Sequence, residues 1–139
     1  MPVVYLTRRE RFNAAHRLFV ESWDDAKNLA VFGKCSNPHW HGHNYELFVT
    51  VKGEPDPVTG FIANLNHISE IIRKKIIDKC DHKNLNLEVD FLQNIQPTTE
   101  NLCIAFWKEL QPEFEKLNIR LHCVKLIETE NNQAEYYGE

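Results

Sequence analysis

Residues 41–52 read His41-Gly42-His43-Asn44-Tyr45-Glu46-Leu47-Phe48-Val49-Thr50-Val51-Lys52. Side chains on a strand point alternately to its two faces. The odd positions His43, Tyr45, Leu47, Val49 and Val51 form an apolar stripe, and the even ones are mostly polar. That alternation predicts a half-buried strand from about His41 to Lys52, with the imidazoles of His41 and His43 on one side of its start. Upstream, Val3 to Leu18 is rich in strand formers and predicts a long strand with arginines on its exposed side. Val4, Leu6, Phe12, Ala14 and His16 share one parity, so His16 projects from the apolar face. Asp24 to Phe32 reads as a short helix ended by Gly33, and Pro55-Asp56-Pro57-Val58-Thr59-Gly60 as a turn.

Two helices follow. Ile68, Ile71, Ile72 and Ile76 recur at helical spacing before Asp78-Lys79-Cys80. Pro97-Thr98-Thr99-Glu100 is a capping signal for a helix carrying Leu102, Cys103, Phe106, Leu110 and Phe114, which Pro112 is expected to kink or end early. Two short strands close the chain, about Arg120 to Glu128 and Gln133 to Tyr137, around Asn131-Asn132. This order predicts an α+β fold, a four-stranded antiparallel sheet with two helices on one face, in a single domain over residues 1–139. Its two open edges are a liability in a monomer and suggest oligomerisation.

The 139 residues make one ordinary domain, and 42% hydrophobic with 26% charged residues excludes disordered, collagen-like and coiled-coil chains. No apolar run approaches the roughly 20 residues of a membrane helix, and the first residues lack the apolar core of a signal peptide. A cytoplasmic location with no membrane partner is expected. A net charge of −4 offers no basic footprint for nucleic acid. Arg8, Arg9, Arg11, Arg17 and Lys34 collect in the first quarter of the chain, as a solvated face or as a seat for a small anion. The four cysteines Cys35, Cys80, Cys103 and Cys123 are widely spaced and read as reduced thiols, the last three in the core.

The composition is unusual in its seven histidines. If the first strand pairs antiparallel with the second, His16 joins His41 and His43, and three neutral imidazoles with an open fourth position make a catalytic zinc site. Packed or surface histidines are the plain alternative. Cys35, beside Lys34 in a polar loop, has three readings: a thiol of lowered pKa acting as base or nucleophile, an inert loop cysteine, or the fourth ligand of a closed structural zinc. Asp81-His82 is either the minimum unit of a proton relay or a local turn. Glu128 ends an apolar stripe, where it must find a donor or stay solvated; one functional reading has it accept two N–H groups from a flat heterocycle. Thr98-Thr99-Glu100 is most simply a cap.

Together these residues resemble the 6-pyruvoyl-tetrahydropterin synthase family. The matching pieces are Phe12-Asn13-Ala14-Ala15-His16-Arg17-Leu18, Asn28-Leu29 with Phe32-Gly33-Lys34-Cys35, His41-Gly42-His43-Asn44-Tyr45, Asp56-Pro57-Val58-Thr59-Gly60 and Asn64-Leu65. Asp81-His82-Lys83-Asn84-Leu85, Thr98-Thr99-Glu100-Asn101, Glu128-Thr129 and Tyr137-Gly138-Glu139 complete the set. The resemblance implies that His16, His41 and His43 bind zinc and that Cys35 is the base, with Asp81 and His82 completing its relay. It implies that Glu128 grips the pterin ring, helped by Thr98, Thr99 and Glu100. It further implies the tunnelling fold, in which a trimer closes a barrel, two trimers stack into a homohexamer and active sites lie between subunits.

The reaction so implied converts 7,8-dihydroneopterin triphosphate to 6-pyruvoyl-tetrahydropterin, releasing triphosphate with no nicotinamide, on the route to tetrahydrobiopterin. Relatives that make 6-carboxy-tetrahydropterin for queuosine release acetaldehyde instead. They typically place three residues between the cysteine and His-Gly-His, where this chain has the five from Ser36 to Trp40, and tend to carry aspartate where it has Asn64. His39-Trp40 stands where smaller residues are usual, which would reshape the pocket lip and bring a further imidazole near the metal. A non-catalytic scaffold around a closed zinc is the reading from another class, and Arg17 and Lys34 are candidates for holding triphosphate.

Overall fold

The computed structural model describes residues 1–139. Strand β1 runs Val4–His16, helix α1 Asp25–Phe32, and strand β2 His41–Gly53. Helix α2 begins with Leu65–Ile72, continues through a π-helical stretch at Arg73–Ile77 and ends in Asp78–Cys80. Strand β3 is Lys83–Asn84, helix α3 Thr99–Glu115, strand β4 Arg120–Thr129 and strand β5 Asn132–Tyr136.

The sheet order is β3-β1-β2-β4-β5. Every pairing is antiparallel except β1 with β3. The expected four antiparallel strands and two helices are therefore corrected to a five-stranded mixed sheet and three helices. The added strand is two residues long and follows directly from the end of α2, whose exit runs beside β1. Leu85 N–H then donates to the Ala15 carbonyl at 2.8 Å. The first strand stops at His16 rather than Leu18, because beyond it the Arg17 backbone turns to the Asn86 side chain, which both accepts from its N–H and donates to its carbonyl.

The β2 stripe lies inward as its alternation predicts: Tyr45, Leu47, Val49 and Val51 are buried. On β1 the even residues Phe12, Ala14 and His16 face the same way, while Arg9 and Arg11 lie on the open face. Helices α2 and α3 cover the inner face with Ile68, Ile72, Ile76, Cys80, Leu102, Cys103, Phe106, Leu110 and Phe114. Phe12 stacks on Tyr45 and meets Phe106 edge-on. Glu10 points toward the helices, where its Oε1 accepts from Ser69 Oγ at 3.1 Å and lies 3.2 Å from Arg73 Nε, tying α2 to β1.

Pro112 does not end α3 early; the helix runs on to Glu115. Only its last turn follows the proline, and burial of Phe114 holds that turn against the sheet. Cys80 and Cys103 belong to the core, but Cys123 lies outside the core cluster. It follows a bulge opposite Thr50–Val51 that resets the strand's parity, so it is buried on the other face instead. No helix is long and apolar enough to cross a membrane.

Leu47 sits mid-strand with no exposure. Leu47→Ala is expected to cost about 3 kcal/mol of unfolding free energy, read as a lower urea midpoint with an unchanged m-value.

Candidate active site

The site forms where strand ends meet a helix start. In the β1–β2 ladder His16 stands opposite His41 and Ala14 opposite His43. All three histidines share the inward parity, so their rings converge with centroids 4.6, 5.0 and 5.1 Å apart. Their ligand atoms all lie within 4.8 Å of one another. Gly42 between them lies against β1: a Cβ there would meet the Ala14 carbonyl oxygen at 3.1 Å.

His16 is oriented from behind. Its Nδ1 lies 2.9 Å from the Pro97 carbonyl oxygen, which can only accept, so Nδ1 carries the proton and Nε2 presents its lone pair. The Tyr45 hydroxyl is 3.4 Å from the same Nδ1. Burial pushes the His16 pKa down to about 4, against the pull of the Pro97 carbonyl. Burial also lowers His41, assisted by His43. His16 Nε2, both nitrogens of His41 and His43 Nε2 are buried without a hydrogen-bond partner. Orphaned polar atoms in a native interior need an explanation, and three imidazoles whose ligand atoms converge on one point fit a bound metal ion.

Cys35 is not a member of that ligand cluster. It lies on the 3₁₀ turn Gly33–Ser36, lining a cleft of about 670 Å³ with His41 and His43. Burial, then the Glu128 charge, raises the pKa of its thiol. His39 is exposed and outside the cluster, so it does not add a ligand. Trp40, just before His41, has φ +70°, a left-handed conformation seldom taken by bulky residues.

Glu128 is 12% exposed, not the solvated strand end of the plain reading. Its Oε2 accepts from Thr99 Oγ1 at 3.0 Å and its Oε1 from Asn132 Nδ2 at 3.2 Å. The same oxygens lie 3.9 Å from His16 Nε2 and 3.8 Å from His43 Nε2. Thr98 caps α3 by accepting from Asn101 N–H. Glu100, in the first turn, is exposed and makes no hydrogen bond or ion pair with Glu128 or the histidines. Asn64 caps α2 by accepting from Asn66 N–H, a job aspartate does equally well.

Asp81 and His82 are not brought to the cleft. They stand at the β1 edge beside Asn13, whose N–H donates to Asp81 Oδ1 at 2.9 Å. That bond, with the His82 ring adding to it, holds the carboxyl below its usual range. His82 Nδ1 lies 3.0 Å from Asp81 Oδ2, its side chain is 81% exposed, and its φ is +60°. Within one chain the pair is a strained, outward-facing turn, and the relay to Cys35 is not formed.

A family model described as 6-pyruvoyl tetrahydropterin synthase matches residues 5–139. The chain belongs to this family. A 6-pyruvoyl tetrahydrobiopterin synthase of Drosophila melanogaster is 44% identical over 99% of this chain and 81% of its own. The solved structure of Caenorhabditis elegans 6-pyruvoyl tetrahydropterin synthase superposes with a TM-score of 0.92 at 36% identity, covering 100% of this chain and 98% of that one. A 6-carboxy-5,6,7,8-tetrahydropterin synthase of Bacillus subtilis is 30% identical over 68% of this chain and 63% of its own. Membership of the 6-pyruvoyl tetrahydropterin synthase family makes the chain an enzyme, a lyase.

Sequence reasoning named Thr99 beside Glu128 but missed Asn132, Tyr45 and the Pro97 carbonyl. Tyr45 was hidden inside an apolar stripe, and Asn132 inside the turn between the last two strands.

A histidine whose native pKa is depressed contributes stability that is present above its unfolded value near 6.5 and lost as pH falls through the native value. For His16, at about 4, the contribution is about 3 kcal/mol. Chelated protein is therefore expected to lose stability in urea melts between pH 6.5 and 4, and His16→Gln to lose less over that range. Equal losses in both proteins would contradict the assignment.

Proposed function

We propose that residues 1–139 act as one cytoplasmic, zinc-dependent domain converting 7,8-dihydroneopterin triphosphate to 6-pyruvoyl-tetrahydropterin, with release of triphosphate. The observation that carries this reading is the orphaned His16, His41 and His43 cluster beside a clamped Glu128, next to a cleft lined by Cys35. These three histidines would hold zinc, which when bound polarises substrate oxygens and acidifies the neighbouring C–H bonds. Glu128, fixed by Thr99 and Asn132, presents carboxylate oxygens suited to the amino-pyrimidine edge of a pterin.

Cys35 takes and returns protons at the side-chain carbons. The electrons that reduce the ring come from the substrate's own side chain, so no nicotinamide is required. Thr98 and Glu100 support the ring site from the α3 start, Thr98 through its cap.

The outward-facing Asp81–His82 pair supports a site shared between copies, since a relay to Cys35 needs the pair from a neighbouring subunit. Exposed strand edges support the same assembly, a trimer closing a barrel and two trimers making a homohexamer. The carboxy-forming reaction is the second reading, favoured by the Bacillus subtilis relative. The greater identity and coverage of the pyruvoyl-named relative place it second. A closed structural zinc would need Cys35 as a fourth ligand, and Cys35 stands apart from the cluster.

Incubation of zinc-loaded protein with dihydroneopterin triphosphate, without reductant, is expected to give pyruvoyl product and triphosphate by mass spectrometry. Cys35→Ala should keep zinc and fold while turnover falls by at least about a hundredfold; release of the metal would point to the scaffold. Acetaldehyde with carboxy product would assign the second reading.

His82→Ala should leave stability within about 0.5 kcal/mol, since the side chain is exposed. Mixing inactive Cys35→Ala and His82→Ala subunits, then reassembling them, should restore part of the activity. No recovery in verified mixed oligomers would mean the relay is not shared.

A further inference from the structure

The cleft carries charge that neither the metal ligands nor the ring-gripping residues use. Arg17, Lys34 and one carboxylate, Asp25, line it together with Cys35, His41 and His43. The guanidinium of Arg17 is fixed along one edge: Nε donates to the Ser36 carbonyl at 2.8 Å, and the central carbon lies 4.0 Å from the centroid of the Phe19 ring. The backbone beneath it is clamped on both sides by the Asn86 side chain, at 2.9 Å to the N–H and 2.9 Å to the carbonyl.

Arg8, Arg9 and Arg73 each sit on a carboxylate. Arg17 does not: its terminal Nη groups have no hydrogen-bond or ion-pair partner, although the chain holds Nε and the ring plane in place. Lys34 is likewise exposed and without a carboxylate. It precedes Cys35 on the same 3₁₀ turn whose Ser36 carbonyl holds Arg17. An immobilised fork of donors suits bidentate recognition of phosphate, and a mobile ammonium beside it adds a point charge.

We propose that Arg17 and Lys34 form the phosphate subsite of this cleft, seating the phosphate chain of a phosphorylated pterin and selecting it over the dephosphorylated compound. The assignment rests on the pterin reading above. Because Arg17 is tied through Ser36 to the turn that bears Cys35, a phosphate seated there is held at a fixed offset from the thiol. Asp25 faces the same space and opposes anion binding, so its removal strengthens the subsite.

The test uses zinc-loaded protein titrated with inorganic tripolyphosphate by calorimetry at two ionic strengths. Zinc content is checked after each run, because the probe also binds zinc. Lys34→Gln and Arg17→Gln are each expected to weaken binding by about tenfold, with affinity falling at higher salt. Lys34 makes no side-chain bond, so its variant separates lost charge from lost structure, and Arg17→Lys should recover part of the affinity. In turnover, both Gln variants should raise KM for the triphosphate far more than they lower kcat.

Unchanged tripolyphosphate affinity in both variants overturns the subsite, as does unchanged KM in protein that makes product. Binding that depends on Arg17 and Lys34 in protein that makes no pyruvoyl product would leave the subsite standing and remove the reaction.

Discussion

The pairing of β1 with β2 is the constraint on which the rest of the structure depends. It sets His16 opposite His41 and Ala14 opposite His43, and strand parity then sends all three imidazoles inward. A slip of one residue would turn every side chain of one strand to the other face. Phe12 would leave its stack on Tyr45 and His16 would leave the cluster in the same movement. The geometry of the histidine cluster and the hydrophobic core are therefore specified by one register. Gly42 reinforces it, because the close approach of the two backbones at Ala14 leaves little room for a side chain there.

This economy comes with an energetic conflict. Buried imidazole nitrogens without partners cost free energy, and the chain gathers three such rings beside a carboxylate. The fold tolerates them because the strands are held elsewhere, by a stripe of buried residues from Tyr45 to Val51 and by two helices laid over it. Glu128 is held by Thr99 and Asn132 rather than by a cation. Its charge stays close to the histidines and to Cys35, where it opposes ionisation of the thiol. A divalent cation at the three imidazoles would reverse that local electrostatic balance.

Much of this was legible in the sequence, for reasons that differ by residue. His16, His41, His43 and Glu128 could be placed because strand parity is a rule of period two and each ends an apolar stripe. Helix α1 was legible from its ends, with Asp24 capping it and Gly33 closing it at φ +60°. Strand β3 was not, because two residues carry no periodic signal and pair only through their neighbour's position. Pro112 was over-weighted, since a proline near the end of a helix interrupts little and Phe114 is held in the core. Asp81-His82 reads as a turn and is one within a single chain; what such a turn serves depends on what stands beside it, which local sequence does not encode.

The π-helical stretch in α2 has a consequence of rotational phase. Ile68, Ile72, Ile76 and Cys80 are all buried, at a spacing of four residues. A regular α-helix turns about 100° per residue, so each step of four overshoots a full turn by about 40°. Over three steps the last side chain would have swung about 120° from the first, out of the core. The wider winding at Arg73–Ile77 absorbs that drift, so Cys80 still faces the sheet and the next residue, Asp81, arrives under the Asn13 N–H. Rewinding the same residues as ordinary α-helix would rotate Asp81 and His82 away from the β1 edge while leaving both in the sequence. The helix thus acts as a timing element, and its irregular turn sets where an outward-facing acid and imidazole emerge.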